Sequence, residues 1–329
     1  MNCKYFIKNL VIASAVIAGA ISLPQQLYGQ HNNAHQNSRQ QDANPARSSL
    51  KREFRGAWFA TVVNKTWRNM TTDSIKADIC NILDSMAAVN TNAVIFQVRP
   101  QADALFVSEF EPWSRFITGE QGCEPTPFFD PAAFTIEECH KRGMEFHAWF
   151  NPYRVTSNEE ETLAPNHLYF KNPGIFVKYG KQLYFNPGEP ESRNHTLKVI
   201  ADFVKRYNTD AVHFDDYFYP NLGAKYKKVF DYKEYKAYAK RCKKKHKKKV
   251  SIVTWRRNNV SNMLKRVRTI VHRLDNNCVF GISPAGNIRN LYAKNNYYAD
   301  VKKWMRSSKY IDYICPQIYW GFEHSTAAF

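Results

Sequence analysis

The segment His213-Phe214-Asp215-Asp216-Tyr217-Phe218-Tyr219-Pro220 sets two adjacent carboxylates among aromatic side chains. Carboxyls this close repel each other when both ionise, and aromatic walls strip them of water, so their pKa values are driven apart. One acid then holds its proton while its neighbour is charged, which is the starting state for general acid and base work. A purely structural reading of the same residues has Asp216 capping the following turn and Asp215 paired with Arg99 or Arg154. His213 reads as support for the pair, since a lone buried histidine is more often a packed core residue.

The pair follows a short apolar run, Ala211–Phe214, which is one of seven such runs. The others are residues 56–61, 93–98, 145–150, 250–255, 278–283 and 310–319. Helix-length amphipathic segments lie between them. One opens at Thr72 and Asp73 and places Ile75, Ile79, Leu83 and Met86 on a single face. Another opens at Asp130-Pro131 and stops at Gly143, and a third runs from about 191 to 207. Repeated strand–helix alternation predicts a parallel sheet with helical crossovers. No GxGxxG follows a strand, which argues against a dinucleotide-binding sheet. Polar and aromatic residues crowd the C-terminal end of nearly every strand, so the expected fold is a TIM barrel of the (β/α)8 type, with its site at that end.

Side chains alternate across a strand, one face meeting helices and the other the barrel interior. With Val212 and Phe214 on the helix side, His213 and Asp215 point inward. The same parity turns Gln97 and Arg99 inward on the second strand and His147, Trp149 and Asn151 on the third. On the seventh it turns Cys315, Gln317 and Tyr319 inward. After Tyr319 only ten residues remain, whereas another helix, strand and helix need more than about thirty. The eighth β/α unit is therefore expected to be missing, leaving an incomplete barrel of about seven strands and a chain truncated at its C-terminus.

The chain has 329 residues, with 44% hydrophobic, 23% charged and 15% aromatic, which describes a globular body rather than a disordered or fibrous one. Lys4 and Lys8 precede a charge-free apolar stretch, residues 10–23, too short to span a bilayer. Residues 1–29 read as a cleavable export signal, 30–50 as a flexible linker and 51–329 as the barrel domain. No cysteine follows the apolar stretch, so a lipid anchor is not supported, and the location expected is outside the cytoplasm. The formal net charge is +18, concentrated in residues 225–249. That cluster reads either as a solvated helix face, with Tyr232, Tyr235 and Tyr238 on its buried edge, or as a surface for a polyanion; export argues against nucleic acid. The six cysteines beyond Cys3 show no zinc-like spacing and read mostly as buried free thiols. No metal or cofactor is expected.

The residues resemble the glycosyl-hydrolase-like 10 family from about Lys51 to the end. The resemblance rests on Arg55-Gly56-Ala57-Trp58, Phe96-Gln97-Val98-Arg99-Pro100, Glu111-Pro112-Trp113-Ser114 and His147-Ala148-Trp149-Phe150-Asn151-Pro152-Tyr153-Arg154. It continues through Asn186-Pro187-Gly188, the His213 to Pro220 segment, Gly281-Ile282-Ser283-Pro284 and Pro316-Gln317-Ile318-Tyr319-Trp320. It implies a glycosidase-type barrel, exported in bacteria, whose members look like hydrolases of peptidoglycan glycan strands. Two features depart from the family pattern. Thr254 and Asn258 flank Trp255-Arg256-Arg257 where acidic residues are usual, which puts activity in question, and family members continue well beyond Phe329.

Glycoside hydrolysis needs one carboxyl to protonate the leaving oxygen and a second as base or nucleophile. Asp215 is the lead candidate, Asp216 its neighbour, and Glu323 or Asp103 a partner supplied from another strand. Trp58, Trp149, Tyr153, Tyr217, Trp255, Tyr319 and Trp320 are candidates for stacking on sugar faces. Arg99, Gln101, Asp103, Asn151, Arg154, His213, Arg256 and Gln317 are candidates for polar contacts to the glycan. The leading expectation is an exported glycoside hydrolase acting on peptidoglycan. The alternatives are a catalytically impaired wall-binding protein and a polyanion-binding protein driven by the lysines.

Overall fold

The protein is described by a computed structural model covering residues 53–324 except 63, 65 and 217. The expected signal and linker, and Tyr217, lie outside the described residues. Eight strands are present among these: β1 (Gly56–Phe59), β2 (Ala93–Arg99), β3 (Glu145–Phe150), β4 (Phe176–Tyr179), β5 (Gln182–Phe185), β6 (Ala211–Phe214), β7 (Val279–Ile282) and β8 (Tyr313–Ile314). Six form one sheet in the order β1-β2-β3-β6-β7-β8, every pairing parallel.

Were this sheet flat, its outer strands would stand about 24 Å apart. Yet the Phe54 ring, just before β1, lies 5.8 Å from the Tyr313 ring of β8. The sheet therefore curls into an incomplete β/α barrel. Outward residues Phe59, Phe96, Ala148, Val212 and Phe280 share one register row and join the hydrophobic core under the helices.

The helices follow local chemistry. Thr71 caps Thr72–Ala88 by accepting from the Ser74 N–H, and that helix buries Ile75, Ile79, Leu83 and Met86. Asp130 caps Pro131–Lys141 by accepting from the Ala133 N–H, and Gly143 beyond its end takes φ +67°. Pro190–Arg206 covers the barrel before β6. Tyr232–Lys244 presents half-buried Tyr232, Tyr235 and Tyr238 beneath exposed lysines.

One expectation needs correction. Residues 250–255 are not a strand: Ser251 accepts from the Thr254 N–H and opens the helix Ile252–Leu274. Its buried Ile252, Trp255, Val260, Met263, Leu264, Val267 and Val271 recur at helical spacing. The β-branched run imitated a strand, but the cap and the long period decide for helix, so the sheet holds six strands among the described residues rather than seven. In addition, the loop after β3 contains an antiparallel hairpin, β4 with β5, turning at Gly180 (φ +59°). This hairpin braces the end of β3, with Phe185 N–H donating to the Tyr153 carbonyl and Val155 N–H to that of Leu183.

The six described cysteines are all free; only Cys139 and Cys278 are fully buried, and Cys123 is exposed. No helix among the described residues is long and apolar enough to cross a membrane.

Candidate active site

Parallel register places Gln97, Trp149, His213, Gly281 and Tyr313 in one inward-facing row. Trp58 of β1 meets Trp149 and His213 edge-on, at 4.7 and 4.9 Å between ring centroids. The Tyr313 hydroxyl lies 2.8 Å from Nδ1 of both His147 and His213. His147 Nε2 faces the Glu145 carboxylate at 3.0 Å, which can only accept when ionised. His147 Nε2–H gives to Glu145, and the Tyr313 hydroxyl bridges the Nδ1 atoms of the two histidines. Burial first, then the neighbouring His147, pushes the His213 pKa well below its ordinary value, so this ring is neutral.

Tyr313 reaches both histidines because residue 281 has no side chain. A Cβ at Gly281 would fall 2.0 Å from the Tyr313 ring. Gly281→Ala is therefore expected to displace the ring and cost about 1–3 kcal/mol, roughly 2–10 °C in Tm. An unchanged thermal melt would place the ring elsewhere.

Above this row sits Asp215, 1% exposed. Its carboxylate accepts from Trp149 Nε1–H at 3.1 Å and from Asn151 Nδ2–H at 3.2 and 3.0 Å. The Asn151 amide has one orientation because its Oδ1 accepts from the Tyr153 and Arg154 N–H groups. Asp216 is 9% exposed. Burial and then the Asp215 charge raise its pKa to about 7, against the opposing effects of Arg154 and a hydrogen bond from Gln317. Gln317 is itself held, donating to the Ser283 carbonyl and accepting from the Tyr319 hydroxyl. Asp216 is thus pushed into the neutral range beside a carboxylate that is gripped by N–H donors.

The structure brings Trp149, Asn151, Arg154, His213 and Gln317 around the two aspartates, with Tyr319 at the exposed rim. Several expected glycan contacts lie elsewhere. A register shift between Gln97 and Arg99 sets Arg99 opposite Phe150, an outward residue, and its buried guanidinium is taken up by Glu111. Asp103 is fully buried, accepting from Gln101 N–H and from Gln121 Nε2–H, each at 3.2 Å, and burial raises its pKa. The Gln101 side chain donates to Ser157 and Glu161. Tyr153 is buried, Trp255 packs on Tyr235 and Tyr238, and Arg256 is buried in an ion pair with Asp231. Trp320 packs tilted against His324, 5.2 Å between ring centroids, and Glu323 is exposed on the turn beyond it with no hydrogen bond to either aspartate among the described residues. Tyr313 and Glu111 were the residues missed. Tyr313 shares the inward parity of Cys315 and Gln317, so extending the same pattern two residues back identifies it.

No group of His, Cys, Asp or Glu suited to a metal occurs among the described residues. A curled parallel β/α sheet with paired carboxylates at its C-terminal strand ends is the architecture of a glycosidase-type barrel. The chain belongs to the glycosyl hydrolase-like 10 family, whose model matches residues 53–329. It is 39% identical over 302 residues to glycosyl hydrolase YngK of Bacillus subtilis (strain 168), covering 86% of this chain and 57% of YngK. It is 33% identical over 308 residues to glycosyl hydrolase DigH of Escherichia coli (strain K12), covering 84% of this chain and 67% of DigH. Among solved structures, alpha-L-fucosidase isoenzyme 2 from Paenibacillus thiaminolyticus aligns over 74% of this chain and 35% of its own, with TM-score 0.46 and 13% identity. The chain thus spans a little over half the length of YngK.

Proposed function

We propose that this protein is an exported glycoside hydrolase that cuts peptidoglycan glycan strands, with Asp215 as lead catalytic carboxylate and Asp216 as general acid. The observation that carries the reading is the contrast between the two acids. Asp215 is gripped by N–H donors, which favour a negative charge, whereas burial and that charge keep a proton on Asp216. A neutral acid beside a carboxylate is the charge arrangement glycosidic cleavage uses. Half-buried Trp58 offers ring surface nearby, and Tyr319, 68% exposed, offers another at the rim. The exposed lysines 243–245 and 247–249 suit an anionic wall, and the charge-free apolar stretch at residues 10–23 supports export.

The test is incubation with purified peptidoglycan glycan strands followed by chromatography of the products. Shortened saccharides support the reading; retention of the glycan without products would leave a carbohydrate-binding protein. Activity is further expected to fall as pH rises through about 7, where Asp216 loses its proton. The stability consequence has the same sign. Asp216 is more basic in the fold than its ordinary 3.8, so the folded state binds the extra proton between about pH 4 and 7 and loses stability across that window. Asp216→Asn removes the penalty and should raise the Tm at pH 8, by at most the equivalent of about 4 kcal/mol, while abolishing the proton donor. A Tm at pH 8 unchanged by the substitution would refute the assignment.

A further inference from the structure

We infer that Arg99 and Glu111 are positioning residues for Asp215, acting through Asn151; the inference rests on Asp215 being the catalytic carboxylate. Residue 99 holds both main-chain groups of Asn151. The Asn151 N–H donates to the Arg99 carbonyl at 2.9 Å, and an Arg99 Nη1–H donates to the Asn151 carbonyl. The remaining guanidinium edge is spent on Glu111, with Nε to Oε2 at 2.7 Å and Nη2 to Oε1 at 2.6 Å. Every Arg99 nitrogen is engaged and none of the side chain is exposed, so the guanidinium presents no surface to a sugar.

Glu111 supplies the charge that a buried guanidinium requires. Burial by itself raises the Glu111 carboxyl, but the Arg99 charge and the hydrogen bonds from His195 and Arg99 outweigh it, and the pKa falls to about 2. The carboxylate is thus fixed as an acceptor. Its hold on Arg99 passes to the peptide of Asn151, whose side chain places two hydrogen bonds on Asp215. The β2 bulge that turned Arg99 away from the interior is what gives its head group this reach.

The experiment is a double-mutant cycle on the full chain, assayed with peptidoglycan glycan strands. Arg99→Lys keeps a charge for Glu111 but cannot also reach the Asn151 carbonyl; Asn151→Ala removes the donor to Asp215. Each single variant is expected to lose about 10- to 100-fold in kcat with KM within about twofold. The double variant should be no more than about twofold below the weaker single one. Losses that multiply would overturn the inference, as would a loss confined to KM. If Arg99→Lys fails to melt cooperatively, Arg99→Met with Glu111→Met removes both buried charges together, an exchange folds often tolerate. That pair should fold and show the same kcat loss, and wild-type kcat would overturn the inference. Activity surviving in Asp215→Asn would reject the catalytic reading itself, whereas an inactive Asp215→Asn with multiplicative losses rejects only the positioning role.

Discussion

Asp215→Asn is expected to lower glycan cleavage by roughly 10³-fold or more while the protein stays folded. The amide cannot carry the charge needed to attack or stabilise the sugar at the transition state, so what remains is binding and the acid at Asp216. Folding survives for a geometric reason. In the native site one oxygen, Oδ2, accepts from both Trp149 and Asn151. An asparagine carbonyl oxygen in that place keeps both of these bonds. Product chromatography with a matched thermal melt checks the result, and an active, folded variant would remove Asp215 from the mechanism.

Asp231→Ala is expected to lose about 3–5 kcal/mol of stability, because it strands a buried guanidinium. Arg256 and Asp231 both have fully buried side chains, joined by contacts of 2.7 and 2.6 Å. Arg256 also donates to the Tyr226 and Val229 carbonyls and the Tyr298 hydroxyl, while the Tyr219 hydroxyl donates to Asp231. Domains of this kind are stable by only about 5–15 kcal/mol, so the variant approaches unfolding. Urea denaturation measures it. Replacing both residues by leucine should recover much of the loss, since the uncompensated charge then disappears. A single variant within 1 kcal/mol of wild type, on the order of measurement error, would show that solvent reaches the guanidinium. Tyr219 stands three residues after Asp216, so the same network pins the loop leaving the site.

This network also shows where sequence reading succeeds and where it stops. Alternation along β3 and β6 was enough to turn Trp149, Asn151, His213 and Asp215 to one side, because a regular strand allows no other outcome. Arg99 obeyed the same rule on paper and broke it in space, because one bulge reverses parity and nothing in the local composition announces it. Arg256 was legible as a polar residue near aromatics, but its partner Asp231 lies 25 residues away on the far side of the helix Tyr232–Lys244, and such pairings belong to tertiary packing. The start of the helix at Ser251 was the reverse case. Its cap was present in the sequence, and the neighbouring β-branched residues drew attention from it. Glu111 stood within a quoted motif without a role because its role is to another protein side chain.

The Tyr313 hydroxyl shared by two histidines has an electrical consequence. A barrel floor holding imidazoles and a phenol would ordinarily exchange protons with its surroundings and carry a fluctuating charge beneath the two aspartates. Here burial keeps the Tyr313 phenol protonated and His213 uncharged. Those two groups behave as insulation, contributing oriented dipoles and no net charge. After burial, the charge that raises the Asp216 pKa is that of Asp215 rather than of either of these groups. Asp216, above that pair, is the group pushed up to about 7, and Gly281 secures the pair by making room for one ring.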